Sequence, residues 1–416
     1  MWEFQLPLDI FSHDYSPKTE KIYLNLDWID RENHELAGKI VFTLDATFPE
    51  QKKAIDIFGA DQTLSFRTKA DLGGHSRIIL KVLNELYRSE LWQVLDREPS
   101  TLVDRKVLYN VLAPFAIEGK TVYRKLFRQS DYVGLPSSSK QLLADAVHSV
   151  LSHSAIIDID SDNALFPWSF LYVGDHNDCD GGTTIEPEKF FGFLHEIQAN
   201  CIGTAKKVNF VNPKKILTAI CPGTDSGAHG SSDHPFQKVI SLGFTLCGKH
   251  DVQTLKSVLR DLDADCFYFF GHAHQATDPD SLSSYIELNT RSLSVADLER
   301  LDAPVIRDSK SLVLVFLNGY NTGNLSKWNE YSMAGRFCFT TGDRVCCIAT
   351  TGSVPKTTAI WFGQYFFRYF FMERCRVGES LLRASRELLA ERNDPLGLLY
   401  TLFGRVDTQM TTNVYR

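Results

Sequence analysis

Hydrophobic positions along the chain change their period from that of a strand to that of a helix, and then to unbroken apolar runs. Up to about Asp71 they alternate. Ile22, Leu24, Leu26 and Trp28 interleave with Tyr23, Asn25 and Asp27, and Ile40, Phe42 and Leu44 keep the same rhythm. Alternation marks strands with one buried face, so this stretch predicts antiparallel β-structure joined by a polar turn at Asp30–Glu35. From about Ser76 the spacing is helical, with Leu80, Leu83, Tyr87, Leu91 and Val94 at three- and four-residue steps. After a turn at Gly134-Leu135-Pro136, a second helix is expected from about Ser139. It turns Leu142, Leu143, Ala146, Val147 and Val150 inward, with Ser138 or Ser139 as its cap. A strand at Ala155–Asp160 follows, and the glycine-rich segment 175–184 reads as an exposed loop.

Beyond residue 206 the strands become continuous apolar runs: Ile216–Cys221, Asp265–Phe270, Leu312–Leu317 and Arg344–Ala349. Runs of that kind are strands buried on both faces, as in a parallel sheet covered by helices. Helices are expected at Asp251–Leu262, near Val295–Leu301, at Thr358–Cys375 and, after a break at Gly378, at Glu379–Leu389. A short segment, Tyr285–Leu288, and a polar loop at 224–233 complete this α/β part. Two of the buried strands end in polar residues, Gly271-His272-Ala273-His274 and Asn318-Gly319-Tyr320-Asn321-Thr322-Gly323. Open α/β sheets place their chemistry at the carboxyl ends of strands. Neighbouring strands would set His272 beside the 318–323 turn. Three parts emerge: a β-rich module at 1–75, a helical and α/β part at 76–205, and an α/β part at 206–416.

Composition narrows the function. With 44% hydrophobic and 12% aromatic residues, the 416-residue chain can build a large core. A formal charge of −7 and the lack of any long basic cluster argue against a general nucleic-acid binder. Met1-Trp2-Glu3-Phe4 lacks the basic start of a signal peptide. The aromatic run Tyr365–Phe371 is short and carries Arg368, so it is a core helix face and not a bilayer span. Nine cysteines without framework spacing fit a reducing cytoplasm. Cys266, Cys346 and Cys347 lie in apolar runs and read as small core residues. Any of these three or Cys221 could still serve as a substitute nucleophile, and Cys221 stands out because it ends a strand next to a flexible loop. The glycines at 223, 227 and 230 fit no phosphate loop, and no Gly-x-Ser-x-Gly elbow follows a strand. His272-x-His274 with Asp278 is too thin a set for a metal. No metal or cofactor is expected.

The order of motifs resembles the CHAT family, caspase-like proteins of the cysteine-peptidase clan that includes caspases and separase. Phe166-Pro167-Trp168-Ser169-Phe170-Leu171-Tyr172 is similar to the family's proline-tryptophan motif, and Phe269-Phe270-Gly271-His272-Ala273 to its aromatic strand ending in Gly-His-Gly. Leu317-Asn318-Gly319-Tyr320-Asn321-Thr322-Gly323 is similar to its Leu-Asn-Ala-Cys-x-Thr-Gly. Leu293–Leu298, Val377–Leu382 and Leu399–Gly404 also fit, so the resemblance runs from about Leu80 to Val406. It implies a caspase-like three-layer sandwich with a mainly parallel central sheet, preceded by the helical layer and the small β-rich module.

The resemblance also implies His272 as general base and the Ala273 amide as oxyanion donor. Asn318, Gly319, Asn321, Thr322, Thr351 and Ser353 would line a binding groove. Tyr320 stands where the family carries its nucleophilic cysteine. A phenol with a pKa near 10 cannot replace a thiolate in attack on a peptide carbonyl. The expectation is therefore a proteolytically silent pseudo-peptidase that binds a protein or peptide, in a bacterial defence or cell-death setting, with a neighbouring protease or effector as partner and a dimer through a sheet edge. The alternative is an active cysteine endopeptidase that uses another thiol with His272.

Overall fold

The structure, a computed structural model, describes residues 21–30, 32–86, 89–97, 102–160, 166–174, 185–200, 209–211, 215–220, 245–248, 266–274, 285–287, 292–294, 296–297, 314–320, 322, 333–334, 337 and 345–411. The amino-terminal alternation becomes β1 (Lys21–Asp30) and β2 (Glu35–Thr43), paired antiparallel. Next comes α1 (Pro49–Phe58), a helix that the alternation did not predict. Proline suits its first turn because that N–H has no helical partner. Gln51 ties it down by accepting from the Asp45 amide and donating to Ser149 Oγ. β3 (Asp61–Lys69) alternates exposed and buried residues along its whole length and pairs with β2.

The expected helix from Ser76 begins earlier and is two helices, α2 (Leu72–Leu86) and α3 (Glu90–Arg97). Ser89 stands between them and accepts from the Trp92 amide. α4 (Arg105–Tyr123) was not predicted; Asp104 caps it by accepting from the amides of Lys106 and Val107. A single π-helical turn, Arg124–Arg128, extends α4 and leads to β4 (Asp131–Tyr132). α5 (Ser137–Leu151) starts after Pro136 without any side-chain cap, so neither Ser138 nor Ser139 has the expected role. β5 (Ile156–Asp160) then enters the sheet.

After the short helix α6 (Phe191–Leu194) come β6 (Glu196–Asn200), β7 (Asn209–Val211), β8 (Lys215–Ile220) and β9 (Thr245–Gly248). The centre is built by β10 (Cys266–His274), β11 (Tyr285–Glu287), β12 (Ser292–Ser294), β13 (Leu314–Tyr320) and β14 (Cys346–Thr350). The helix α7 (Lys356–Phe367) runs into a π-turn at Arg368–Met372, and α8 (Val377–Arg392) follows. Gly378 lies inside α8 and does not break the chain there. β15 (Tyr400–Phe403) and β16 (Gln409–Thr411) end the described part. The helix expected at Asp251–Leu262, the loops at 175–184 and 224–233, and most of the helix expected at Val295–Leu301 lie outside the described residues.

Fourteen of these strands form one sheet, with the main order β12-β11-β10-β13-β14-β15-β6-β5-β1-β2-β3-β4 and with β8 and β9 beside β10. The ladders β9–β8–β10–β13–β14 are parallel, as are β15–β6–β5–β1, while β14 and β15 meet antiparallel. β1 is hydrogen-bonded directly to β5, so the strands of the β-rich module extend the main sheet. One face is covered through Leu83, Phe115, Val147 and Phe191, among others. The other is covered by α7 and α8, where Phe362, Phe366, Phe367 and Phe370 are fully buried. Edge-to-face pairs lock that layer: Phe316 against Phe366 at 5.2 Å and Tyr268 against Phe367 at 5.3 Å between centroids. Such pairs add about 0.5–1.5 kcal/mol each beyond their buried area.

Candidate functional site

β10 and β13 run in parallel register from Cys266 with Leu314 up to His272 with Tyr320. Both strands continue through residues expected in a loop and a turn. His272 and Tyr320 are thus backbone neighbours on adjacent strands, about 4.8 Å apart in such a ladder. One step below, Gly271 pairs with Gly319. A Cβ on Gly319 would come within 2.4 Å of the Gly271 carbonyl oxygen and 3.0 Å of the Phe269 ring. The close approach of the two strand ends therefore requires the glycine. Ala273 and His274 pair with Ile286 and Tyr285 of β11, which places the Ala273 backbone at the same end of the sheet.

Beneath this end lies a buried polar knot. Asn318 is fully buried, and its amide donates to Tyr268 Oη at 2.9 Å and to the Ala359 carbonyl at 2.7 Å. Its side-chain oxygen accepts from Tyr400 Oη at 2.7 Å. Burial raises the pKa of both tyrosines far above the ordinary phenol range, so both remain neutral hydrogen-bonding groups. Tyr400 stacks flat on Phe362. Thr322 Oγ1 donates to the Leu317 carbonyl at 2.8 Å and accepts from the Thr350 amide at 3.1 Å. The Thr350 hydroxyl donates to the Gly319 carbonyl, and Thr351 Oγ1 donates to the Leu399 carbonyl at 3.0 Å.

Of the residues expected to line a groove, Asn318, Thr322 and Thr351 thus have protein partners and brace the ends of β13 and β14. Ser353 is buried close by, and Asn321 lies outside the described residues. Tyr268 and Tyr400 were not singled out from the sequence. A tyrosine inside an apolar strand needs a buried partner for its hydroxyl, and that was the available signal.

The thiols separate by distance. Cys266 precedes His272 by six residues on one strand, about 20 Å at ~3.3 Å per residue. Cys346 and Cys347 pair with Leu314 and Val315 at that same far end. All three are buried. Cys375 is half-buried, and burial together with the neighbouring Glu379 pushes its thiol up to about 12. Cys221 lies outside the described residues, as do Asp278, Cys179, Cys201 and Cys338, while Cys247 stands in β9, level with Leu217 of β8. Among the described residues no group of three metal-ligating side chains is gathered.

The proline-tryptophan segment is structural here. Trp168–Phe170 forms a 3₁₀ turn, Ser169 Oγ donates to the Leu398 carbonyl at 2.7 Å, and Phe170 packs on Phe115 at 4.9 Å. With His195, Leu381, Ser385 and Tyr400 it encloses a cavity of about 30 Å³, room for a water molecule or two. His195 is held neutral, its pKa lowered to about 3 by burial. It accepts from the Ala155 amide and bonds the Leu151 carbonyl. At Leu293–Leu298 the side chains of Ser294 and Asp297 each accept from the other's backbone amide, a reciprocal cap.

Among solved structures, separase of Saccharomyces cerevisiae in its complex with securin superposes with a TM-score of 0.50 over 94% of this chain, at 10% sequence identity. The fold is caspase-like. The match spans 30% of that separase chain. The Arg-specific cysteine proteinase gingipain R (RgpB) gives a TM-score of 0.43 at 11% identity over 76% of this chain and 79% of its own. The Porphyromonas gingivalis complex of RgpB pro- and mature domains gives 0.39 at 10% identity over 74% and 78%. No protein-family model and no curated protein matches the sequence. No helix among the described residues of this caspase-like chain is long and apolar enough to cross a membrane.

Proposed function

We propose that this chain is a caspase-like pseudo-peptidase of the CHAT type, which binds a protein or peptide at the carboxyl ends of β10 and β13 without cutting it. The observation that carries the reading is the pairing of His272 with Tyr320 across adjacent strand ends of a fold that cysteine peptidases use. His272 is at the position expected of the general base, and Tyr320, level with it on the next strand, is at the position expected of the nucleophile. A phenol is a poor nucleophile near neutral pH because its pKa is about 10. The far position of Cys266, Cys346 and Cys347 supports silence as well. That the yeast protein of this fold was solved as a separase–securin complex supports a protein partner. A regulatory place in a defence or cell-death system, with a partner encoded nearby, follows from the CHAT resemblance.

The test compares the native chain with Tyr320→Cys, each incubated with proteins encoded alongside it. Cleavage, co-purification and alkylation by a thiol-directed electrophile are scored. The expected result is a native chain that binds and does not cut, and a cysteine form that is alkylated at position 320 and cleaves the bound partner. Cleavage by the native chain that stops on alkylation would sink the proposal and point to Cys221 or another thiol.

A further inference from the structure

Far along the sheet from His272, three side chains have the arrangement of a nucleophile backed by an oriented base. His75 on the first turn of α2 places Nδ1 2.7 Å from Glu118 Oε2 on α4, and its Nε2 lies 3.2 Å from Lys125 Nζ on the π-turn. A carboxylate accepts and an ammonium donates. The geometry suits the tautomer with its proton on Nδ1 toward the carboxylate and its Nε2 lone pair toward the lysine. The side chains of His75 and Glu118 are only 14% and 20% exposed. Lys125 itself is pinned, because its carbonyl accepts from Thr68 Oγ1 at 2.7 Å and Ser130 Oγ at 2.9 Å. A π-turn in a helix frequently marks a functional position. Among the described residues, no carboxylate lies within ion-pair distance of Lys125 Nζ.

A nucleophile within 2.6–3.2 Å of a base that is oriented by a third group is the signature of an activated nucleophile. Here the nucleophile is an amine. Arg124, exposed beside it on the π-turn, favours an anionic reagent. We propose that Lys125, His75 and Glu118 form a modification site at which Lys125 is acylated by a small acyl phosphate. His75 Nε2 takes one proton from the ammonium and frees its lone pair. The amine attacks the acyl carbon, a C–N bond forms, and the C–O bond to phosphate breaks with its electron pair leaving on the phosphate. The second proton of the nitrogen leaves with the phosphate as hydrogen phosphate. The imidazolium, held by Glu118, returns the first proton to water.

The test treats the full chain with acetyl phosphate at pH 7.5 and follows acetylation of each lysine by peptide mass spectrometry. Lys81, with a side chain 78% exposed, serves as the ordinary lysine. General-base help contributes about 10²–10⁴-fold, so Lys125 is expected to react at least ~10-fold faster than Lys81. His75→Gln and Glu118→Gln are each expected to bring it down to the Lys81 rate. Should His75→Gln fail to fold, Glu118→Gln, which keeps a hydrogen-bonding oxygen without the charge, decides. Lys125 reacting no faster than Lys81, or keeping its rate in a Glu118→Gln chain with a native circular-dichroism spectrum, overturns the proposal.

Discussion

Replacing Asn318 by leucine removes three buried hydrogen bonds from beneath the β13 strand end with little change in volume. Tyr400, 3% exposed, would lose the acceptor of its hydroxyl, while Tyr268, 1% exposed, and the Ala359 carbonyl would each lose one hydrogen bond. Each buried polar group left unpaired costs about 1–3 kcal/mol, and the more apolar side chain returns about 1 kcal/mol. With the Tyr400 hydroxyl unpaired and a hydrogen bond of about 0.5–1.5 kcal/mol lost at each of the other two groups, the expected loss is about 1–5 kcal/mol, read from urea unfolding followed by tryptophan fluorescence. Tyr400→Phe alone leaves the Asn318 oxygen unpaired and should cost about 1–2 kcal/mol. In the double variant the stranded Tyr400 hydroxyl is gone, so Asn318→Leu/Tyr400→Phe should be more stable than Asn318→Leu alone. Two members of one network couple in that way, whereas independent sites add. A double variant less stable than Asn318→Leu by the full Tyr400→Phe cost would refute the knot.

Gly319→Ala should destabilise the chain by about 1–3 kcal/mol, because its methyl group would press on the Gly271 carbonyl at 2.4 Å; an unchanged unfolding midpoint would contradict the close strand approach. Asp394 is fully buried, accepting from Thr358 Oγ1 at 2.5 Å and the Leu396 amide at 2.9 Å, and burial outweighs these bonds to raise its pKa from 3.8 to about 6. The folded state therefore holds this proton more tightly than the unfolded one, so its stabilising contribution is full below pH 3.8 and is lost as pH rises to about 6. That interval corresponds to about 3 kcal/mol. Asp394→Asn, which mimics the protonated form, should flatten this part of the stability profile and be the more stable chain at pH 7.5. A parent-like slope between pH 4 and 6 would count against it.

Strands β10, β13 and β14 were legible because burial on both faces leaves an apolar run that little else produces. Their ends were not. Asn318, Gly319 and Tyr320 have turn composition, yet they stay in the strand because Tyr268, Ala359 and Tyr400, all distant in sequence, satisfy the Asn318 amide. α4 carries Pro114 and Gly119, residues that discourage a helical reading. Gly119 is accommodated by contact: a Cβ there would run into the Phe170 carbonyl. The β-rich start looked separate because the partner of β1 is β5, beyond five intervening helices. The pairing of His272 with Tyr320 was foreseeable from two adjacent strand ends, whereas the tyrosines that brace it emerge only from packing.

The place of β15 bears on how the chain assembles. It is the last strand of the large sheet to be synthesised among the described residues, yet it sits between β14 and β6 and joins the two halves. Until it emerges, both of those strands present open edges, the kind of surface that invites pairing with other chains. Its contacts with β6 close a loop of roughly two hundred residues, and long closures of this sort make folding slow. The two halves can form early, but their union waits for four residues, Tyr400–Phe403, and a nascent chain stalled before them would carry an unfilled slot at its centre.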